Sequence, residues 1–201
     1  VFCAGIDLKA EREPKDPITG IAPTVATLGM ANDTSWIHLM RHSKPTVAAL
    51  NGAAIGLGAT HVLATDIRIG TQEASFSFPF LARGTMPEFG FSALLPRIVG
   101  LSSAIEICLT SAKLDAQTSL AKGLLNRVTD ADHALPEAME LAAQLAAIPF
   151  LQLSLTRQML VDNAAEADWN TVLTRERDAF ITVYRAQRAA RQAKDTIATN
   201  D

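Results

Sequence analysis

Two cysteines, Cys3 and Cys108, are all that the 201-residue chain contains. Neither belongs to a CxxC pair and no histidine cluster accompanies them. That excludes a structural zinc site and a disulfide framework, and a reducing compartment is the default, so a cytoplasmic location is expected. Charge of one sign is equally scarce. Eighteen Lys and Arg stand against twenty-one Asp and Glu, for a formal net charge of −3. Such a balance offers no electrostatic reason to bind nucleic acid or an acidic membrane. No apolar run approaches the length that spans a bilayer. No leader is visible, and Thr199-Asn200-Asp201 is not a peroxisomal address. No GxxxxGK[ST] occurs, no internal repeat stands out, and the chain opens without a Met or a lead-in strand.

What is present is a hydrophobic fraction of 48%, ample for a core. The opening VFCAGIDLKA is an apolar run that breaks at Gly5 and Asp7, as a buried strand does on reaching a loop. Residues 11–34, rich in Pro, Gly and Thr, read as a long surface loop, a class of segment that is often functional. A helix is predicted over 35–42. The uninterrupted apolar stretch 44–50 predicts a strand buried on both faces. Asn51-Gly52 turns the chain, and a Gly-rich stretch leads into a helix at about 59–64. Short strands follow at 66–70 and 74–80. A loop over 84–90 enters a helix that runs to about Val99. Helices at 101–110 and 115–122, the second capped by Asp115 and closed by Gly123, precede a strand at 124–128. Beyond about residue 130, helical periodicity covers 134–147, 150–161 and 166–193. In the last of these, Arg185, Arg188, Arg191 and Lys194 fall three apart, as a solvated face or a partner-facing surface would.

The Gly-rich stretch Ala54-Ile55-Gly56-Leu57-Gly58-Ala59-Thr60 is not a dinucleotide fingerprint. The third Gly is missing, and Asp66 comes too soon to be the ribose-binding acid. What remains is a flexible loop whose backbone N–H groups stand at a helix start, a place for negative charge, including a transient one. Tight turning and close packing would equally explain the glycines. The opening stretch offers the same chemistry, because Gly5 frees the backbone and Ile6 supplies an N–H at a turn. Two such loops can build a two-donor oxyanion hole, in which each donor is worth on the order of 3 kcal/mol of transition-state stabilisation.

Taken together, Phe2-Cys3-Ala4-Gly5-Ile6-Asp7-Leu8, the segment from Lys44 to Gly58, and Asp66-Ile67-Arg68 resemble the crotonase, or enoyl-CoA hydratase/isomerase, superfamily. The resemblance covers nearly the whole chain to about Val128 and, more loosely, the helical tail. It implies an α/β fold, a spiral of ββα units with a C-terminal helical segment. Residues 1–130 would form the acyl-CoA-binding core and 131–201 a helical segment for oligomerisation into a homotrimer or hexamer. Relative to the family the sequence is expected to be N-terminally truncated, lacking one upstream ββα turn. The resemblance further implies that the N–H groups of Ile6 and Leu57 hold the thioester oxygen of an acyl-CoA substrate. Ala4, Gly5, Ile6, Asp7, Leu8, Gly56, Leu57, Thr60 and Phe80 would line its binding site. Coenzyme A enters only as part of the substrate, and no separate cofactor or metal is implied.

A hydratase needs two carboxylates around the double bond to manage a water and a proton. The positions that match the hydratase glutamates are Thr60 and Phe80, and neither side chain titrates usefully. The carboxylate left in the region is Glu88, in Gly84-Thr85-Met86-Pro87-Glu88-Phe89-Gly90. This arrangement is similar to the peroxisomal-type Δ3,Δ2-enoyl-CoA isomerases, whose single catalytic glutamate sits at this Pro-Glu. The implied activity is a shift of a 3-enoyl-CoA double bond to the 2-position through a dienolate, in fatty acid oxidation. Hydration or another enolate reaction is the first alternative, and a non-catalytic acyl-CoA-binding subunit the second. A helix N-terminus would stabilise the Glu88 carboxylate, and burial beside Phe80, Phe89 and Phe91 would destabilise it. Phe78, Phe80, Phe89 and Phe91 together suggest an apolar acyl pocket.

The remaining titratable residues read as structural. His61, next to Thr60 on one helix, points about 100° away from it and is expected in the core or an interface. His38 and His42 form a surface pair, and His133 lies in a loop. Asp7 caps a turn or belongs to the CoA loop. Cys3 is a small buried residue, Glu73 faces solvent, and Asp66 turns the chain from helix to strand.

Overall fold

The computed structural model describes residues 1–5, 17 and 36–198, with side chains through residue 193. Helix α1 (Trp36–His42) leads into strands β1 (Val47–Leu50) and β2 (Ala53–Ile55) and helix α2 (Leu57–Leu63). The same order then recurs as β3 (Ile67–Thr71), β4 (Ser75–Ser77), a 3-10 turn (Leu81–Arg83) and α3 (Phe91–Val99). Next come α4 (Leu101–Thr110), β5 (Lys113–Leu114), α5 (Ala116–Ala121) and β6 (Arg127–Thr129). Three helices close the chain: α6 (Ala134–Ala146), α7 (Phe150–Asn163) and α8 (Trp169–Ala198).

The first strand of each repeat joins one sheet and the second joins another. Thus β1, β3 and β6 pair in that order, all parallel. In the other sheet β2 and β4 are parallel and β5 is antiparallel to β4. Each ββα unit therefore stacks on the one before with its strands in step, which is the expected spiral. The opening residues join the second sheet as well, through a parallel bridge between Cys3 and Ala54. Cys3 N–H donates to Ala53 O at 3.1 Å, and Cys3 O accepts from Ile55 N–H at 2.9 Å.

The two turns of the spiral are bolted by polar groups. Asp66 Oδ2 accepts from Thr46 N–H at 2.7 Å and from Thr46 Oγ1 at 3.0 Å, while Asp66 N–H donates back to Thr46 Oγ1. Asp66 is thus a clamp between β1 and β3 in addition to a turn residue. Arg68 is buried, and its Nε donates to Leu124 O at 2.7 Å. Asn126 Oδ1 accepts from Arg68 N–H at 2.8 Å, which seats β6 on β3. A buried guanidinium is tolerable only with such partners. Strand β1 differs from expectation, since Val47, Ala48 and Ala49 are half-buried and only Leu50 is fully buried. Among the described residues it pairs on one side only, with β3.

The core lies between the second sheet and helices α2 to α5. Phe76, Phe78, Leu95, Ile107 and Leu124 are fully buried there. Phe78 packs on Phe91 with ring centroids 4.9 Å apart. The chain forms two compact units, Val1–Ala143 and Gln144–Asp201. The division falls inside α6, not ahead of it at 130/131, because Ala134 and Ala138 pack with Ile69 of β3. In the second unit, Arg175 bridges Glu166 at 3.1 Å and Asn163 Oδ1 at 2.8 Å. Asp168 caps α8 by accepting from Asn170 N–H and Thr171 Oγ1, which holds its pKa below the usual carboxylate range.

Two close approaches position the site. A Cβ on Gly58 would stand 2.5 Å from Cys3 Sγ and 2.8 Å from Cys3 O. A Cβ on Gly5, whose φ is +83°, would stand 2.7 Å from Ile55 O and 3.4 Å from Leu57 N. Contact at that range requires glycine on both sides. The loop before α3 is bent more sharply than a helix entry. Phe89 has φ 56° and Gly90 φ 73°, two left-handed residues in succession. Phe89 is held edge-on against His61 (4.9 Å), and His61 in turn against Trp36 (5.2 Å), whose Nε1 donates to His61 O. Ile37 of α1 lies against Gly90.

Two substitutions test these contacts. Gly58→Ala should destabilise the chain by about 1–3 kcal/mol, the usual cost of overpacking, and Cys3→Gly in the same chain should recover part of it. Urea denaturation that finds Gly58→Ala neutral would contradict the close approach. Phe89→Ala and Phe89→Gly both lose the ring, but only Gly is relieved of the left-handed backbone cost, so the Gly variant should be the more stable by about 1 kcal/mol. The opposite order in the same titration would mean that residue 89 is not left-handed.

Candidate active site

A cavity of about 500 Å³ opens where the two glycine loops meet. Ala4 and Gly5 of the first loop line it, with Ile55, Gly56 and Leu57 of the second. The facing wall is Pro79, Phe80, Arg83, Thr85 and Glu88. The volume lies within the range of about 300–1,000 Å³ typical of small-molecule sites.

Helix α2 begins at Leu57, two residues earlier than predicted, because Gly56 adopts φ 55° and starts the helix from its own carbonyl: Thr60 N–H donates to Gly56 O at 3.0 Å. Leu57 is therefore in the first helical turn, where N–H groups have no intrahelical acceptor. Gly56 N–H is consumed by Ser77 O at 2.9 Å, whereas no acceptor for Leu57 N–H occurs among the described residues. Of the other predicted site residues, Ala4, Gly5, Gly56, Phe80 and Glu88 converge on this cavity. Ile6, Asp7 and Leu8 lie outside the described residues. Thr60 does not reach the cavity. It is fully buried behind α2, with its hydroxyl turned back to Gly56 O at 3.3 Å.

Glu88 is not at a helix N-terminus as the sequence reading has it. It precedes Phe89 and the N-cap Gly90, and its carbonyl accepts from Phe91 N–H at 3.2 Å. Of the two opposed influences on its carboxyl, burial prevails and pushes the pKa up from the ordinary glutamate value. No other carboxylate among the described residues lines the cavity.

The aromatic pocket predicted from four phenylalanines is not formed. Phe78 and Phe91 belong to the core, Phe89 stacks on His61, and only Phe80 lines the cavity. His61 is half-buried between Trp36 and Phe89, and burial lowers its pKa. His38 and His42 stack on one another at 4.2 Å, and His42 Nδ1 lies 2.8 Å from His38 O. No group of three or more potential metal ligands occurs among the described residues. Cys3 is half-buried against Gly58, Glu73 is exposed, and no single described helix is long and apolar enough to cross a membrane. Arg185, Arg188 and Arg191 are exposed on α8, and the side chain of Lys194 lies outside the described residues.

Sequence reasoning missed Arg83 and Thr85. Phe80 O accepts from Arg83 N–H (3.1 Å), Thr85 N–H (2.9 Å) and Thr85 Oγ1 (3.1 Å). Three donors on one carbonyl fix the turn that carries both side chains to the wall. The signal available was the spacing, with Arg83 five residues before Glu88 in a single short loop.

Comparison with known proteins agrees with this geometry. Residues 1–195 match the family described as enoyl-CoA hydratase/isomerase. The chain is 36% identical over 182 residues to the 1,2-epoxyphenylacetyl-CoA isomerase of Escherichia coli K12, covering 88% of this chain and 66% of that one. It is 35% identical over 146 residues to an enoyl-CoA hydratase of Alternaria alternata, covering 72% and 47%. The crystal structure of an enoyl-CoA hydratase/isomerase from Cupriavidus metallidurans CH34 superposes with a TM-score of 0.70 at 31% identity, covering 74% of this chain and 56% of that one. The chain thus spans about half to two thirds of the length of the curated relatives it matches. With the two glycine loops, the spiral and the matched segment all in agreement, the chain belongs to the enoyl-CoA hydratase/isomerase family.

Proposed function

We propose that the protein isomerises a 3-enoyl-CoA to the 2-enoyl-CoA, with Glu88 as the proton shuttle. The observation that carries this reading is the single carboxylate that lines the cavity among the described residues, together with Gly56 and Leu57. Glu88 takes the proton from C2. The electron pair moves into a dienolate, whose charge rests on the thioester oxygen. The N–H groups of Leu57 and Ile6 receive that charge, each donor contributing on the order of 3 kcal/mol. The protonated Glu88 then delivers the same proton to C4, and the double bond stands between C2 and C3. One base suffices because both carbons present themselves on one face of the dienolate. Hydration would call for a second carboxylate to hold a water, and among the described residues Glu88 is the one carboxylate on the cavity. The Escherichia coli relative is itself named an isomerase of an acyl-CoA.

Glu88→Gln should lower kcat on a 3-enoyl-CoA by roughly 10²- to 10⁴-fold, the usual share of a general base. In the unaltered protein, activity should fall on the acid side as the base becomes protonated. Because burial raises the Glu88 pKa, that limb should lie above the ordinary glutamate value. Full turnover by the Gln variant, or rapid hydration of a 2-enoyl-CoA beside negligible isomerisation, would overturn the assignment.

The same burial has a stability consequence of definite sign. A carboxyl whose folded pKa is raised costs the folded state nothing while it is protonated, below its unfolded pKa. The cost grows as pH rises toward the folded value and is complete above it. Glu88→Gln should therefore melt above the unaltered protein at neutral pH, with the gap closing in acid. A Gln variant less stable at neutral pH would mean that Glu88 is a structural partner and not a buried acid kept for chemistry.

A further inference from the structure

Arg83 lines the cavity on the same wall as Glu88. Its backbone is pinned by the Phe80 carbonyl, and the left-handed Gly84 (φ 66°) closes the turn behind it. No hydrogen-bond or ion-pair partner for its guanidinium occurs among the described residues. Arg68 differs in this respect, since its guanidinium is matched by Leu124 O and Thr65 O. Nor is Arg83 consumed by Glu88, whose carboxyl is shifted by burial alone and in the direction opposite to that of a nearby cation. The lining is mixed: Ala4, Ile55, Leu57, Pro79 and Phe80 offer apolar surface, and the guanidinium of Arg83 stands among them as the one cation, with Glu88 the one carboxylate, among the described residues. Seating apolar carbon against a guanidinium strips water from the charge without replacing its hydrogen bonds.

We infer that the acyl group taken by this cavity ends in a carboxylate, and that Arg83 is the specificity-determining residue that pairs with it. This rests on the reading of the cavity as an acyl-CoA site. A guanidinium offers a carboxylate two parallel N–H donors, so the pair discriminates by charge and by geometry. The phosphates of coenzyme A are the other anions an acyl-CoA brings. They lie a full pantetheine arm from the thioester, whereas Arg83 lines the same cavity as the acid that must reach C2 and C4. The favoured occupant is therefore the monothioester of a dicarboxylic acid.

Calorimetric titration with saturated thioesters tests this apart from turnover. Matched pairs such as butyryl- and succinyl-CoA, hexanoyl- and adipoyl-CoA, and octanoyl- and suberyl-CoA would be compared on the full chain, on Arg83→Met and on Arg83→Lys. Arg83 is exposed, so both variants should fold. The unaltered protein should prefer the dicarboxylate in at least one pair by roughly tenfold or more, as for a charge-assisted hydrogen bond. Arg83→Met should abolish the preference and Arg83→Lys retain part of it. Equal affinities in every pair overturn the proposal, and so does a preference that survives Arg83→Met. A loss of affinity shared equally by both members of each pair overturns it as well, since that result assigns Arg83 to the coenzyme A phosphates. Turnover of 3-hexenoyl-CoA and of 3-hexenedioyl-CoA is read separately. Selective binding with isomerisation of neither upholds this inference and sinks the isomerase reading, and no binding of any thioester sinks both.

Discussion

The cavity lies where two stretches of backbone meet at glycines, Gly5 against Ile55 O and Gly58 against Cys3, at distances that a methyl group could not occupy. The bridge between Cys3 and Ala54 then sets the register of the opening segment against β2. From that register follows the position of Leu57, at the first turn of α2 and beside Gly5. An amide N–H placed by a sheet and a helix start is held more firmly than any side-chain donor. Preorganisation of that kind is the requirement for stabilising a transient oxyanion. The close approach accounts for Gly5 and Gly58 by packing, and the same packing is what the proposed oxyanion hole would require.

The opposite wall is set by a different device. A 3-10 turn and two left-handed residues bring Arg83 and Glu88 onto one surface without a regular element beneath them. Of the aromatic residues expected at the cavity, Phe80 lines it and the others pack around this wall. Phe80 and Phe91 meet edge-on at 5.6 Å, and His61 bridges Trp36 to Phe89. Apolar contacts thus support the loop, and Arg83 and Glu88 line the cavity. This is the arrangement a scaffold needs when the functional groups sit on a loop rather than on a strand.

Much of this was legible in sequence because glycine and proline carry conformational information at single positions. Both glycine loops, most of the helices and the Asp115 cap follow from such local signals, whereas the short strands β2 and β5 carried no such signal and Glu88 was singled out by the family resemblance. What was not legible depended on choices that sequence leaves open. The start of α2 moved to Leu57 because Gly56 took a left-handed φ, which glycine allows but does not require. Glu88 fell outside α3 because Phe89, a residue that rarely does so, also went left-handed. The four phenylalanines were correctly seen as apolar but not assigned to core or pocket, since spacing along a loop says little about direction. Thr60 matched by position alone, and its hydroxyl found a backbone acceptor one turn back, a common resolution for threonine in a helix. Arg83 was passed over because a cation in a loop ordinarily reads as solvated surface.

Two local costs stand next to one another in the chain. Phe89 holds a backbone conformation that disfavours a β-carbon, and Glu88 holds a carboxyl where water is partly withdrawn. Elsewhere the fold is well matched: Asp66 meets Thr46 at both ends, and the buried Arg68 guanidinium donates to Leu124 O and Thr65 O. Two buried hydroxyls, those of Thr71 and Ser119, are the exceptions among the described residues. They are neutral groups, however, and neither lines the cavity. Strain and desolvation at adjacent residues persist only when the surroundings over-determine them, and here the surroundings are the Trp36–His61–Phe89 stack and the seat of Ile37 on Gly90. Relaxing either cost would turn the acid toward water, where it would ionise more readily and accept protons less well. A base that takes a proton and returns it, the role proposed for Glu88, is served by a pKa above the ordinary glutamate value. Partial burial moves the Glu88 carboxyl in that direction.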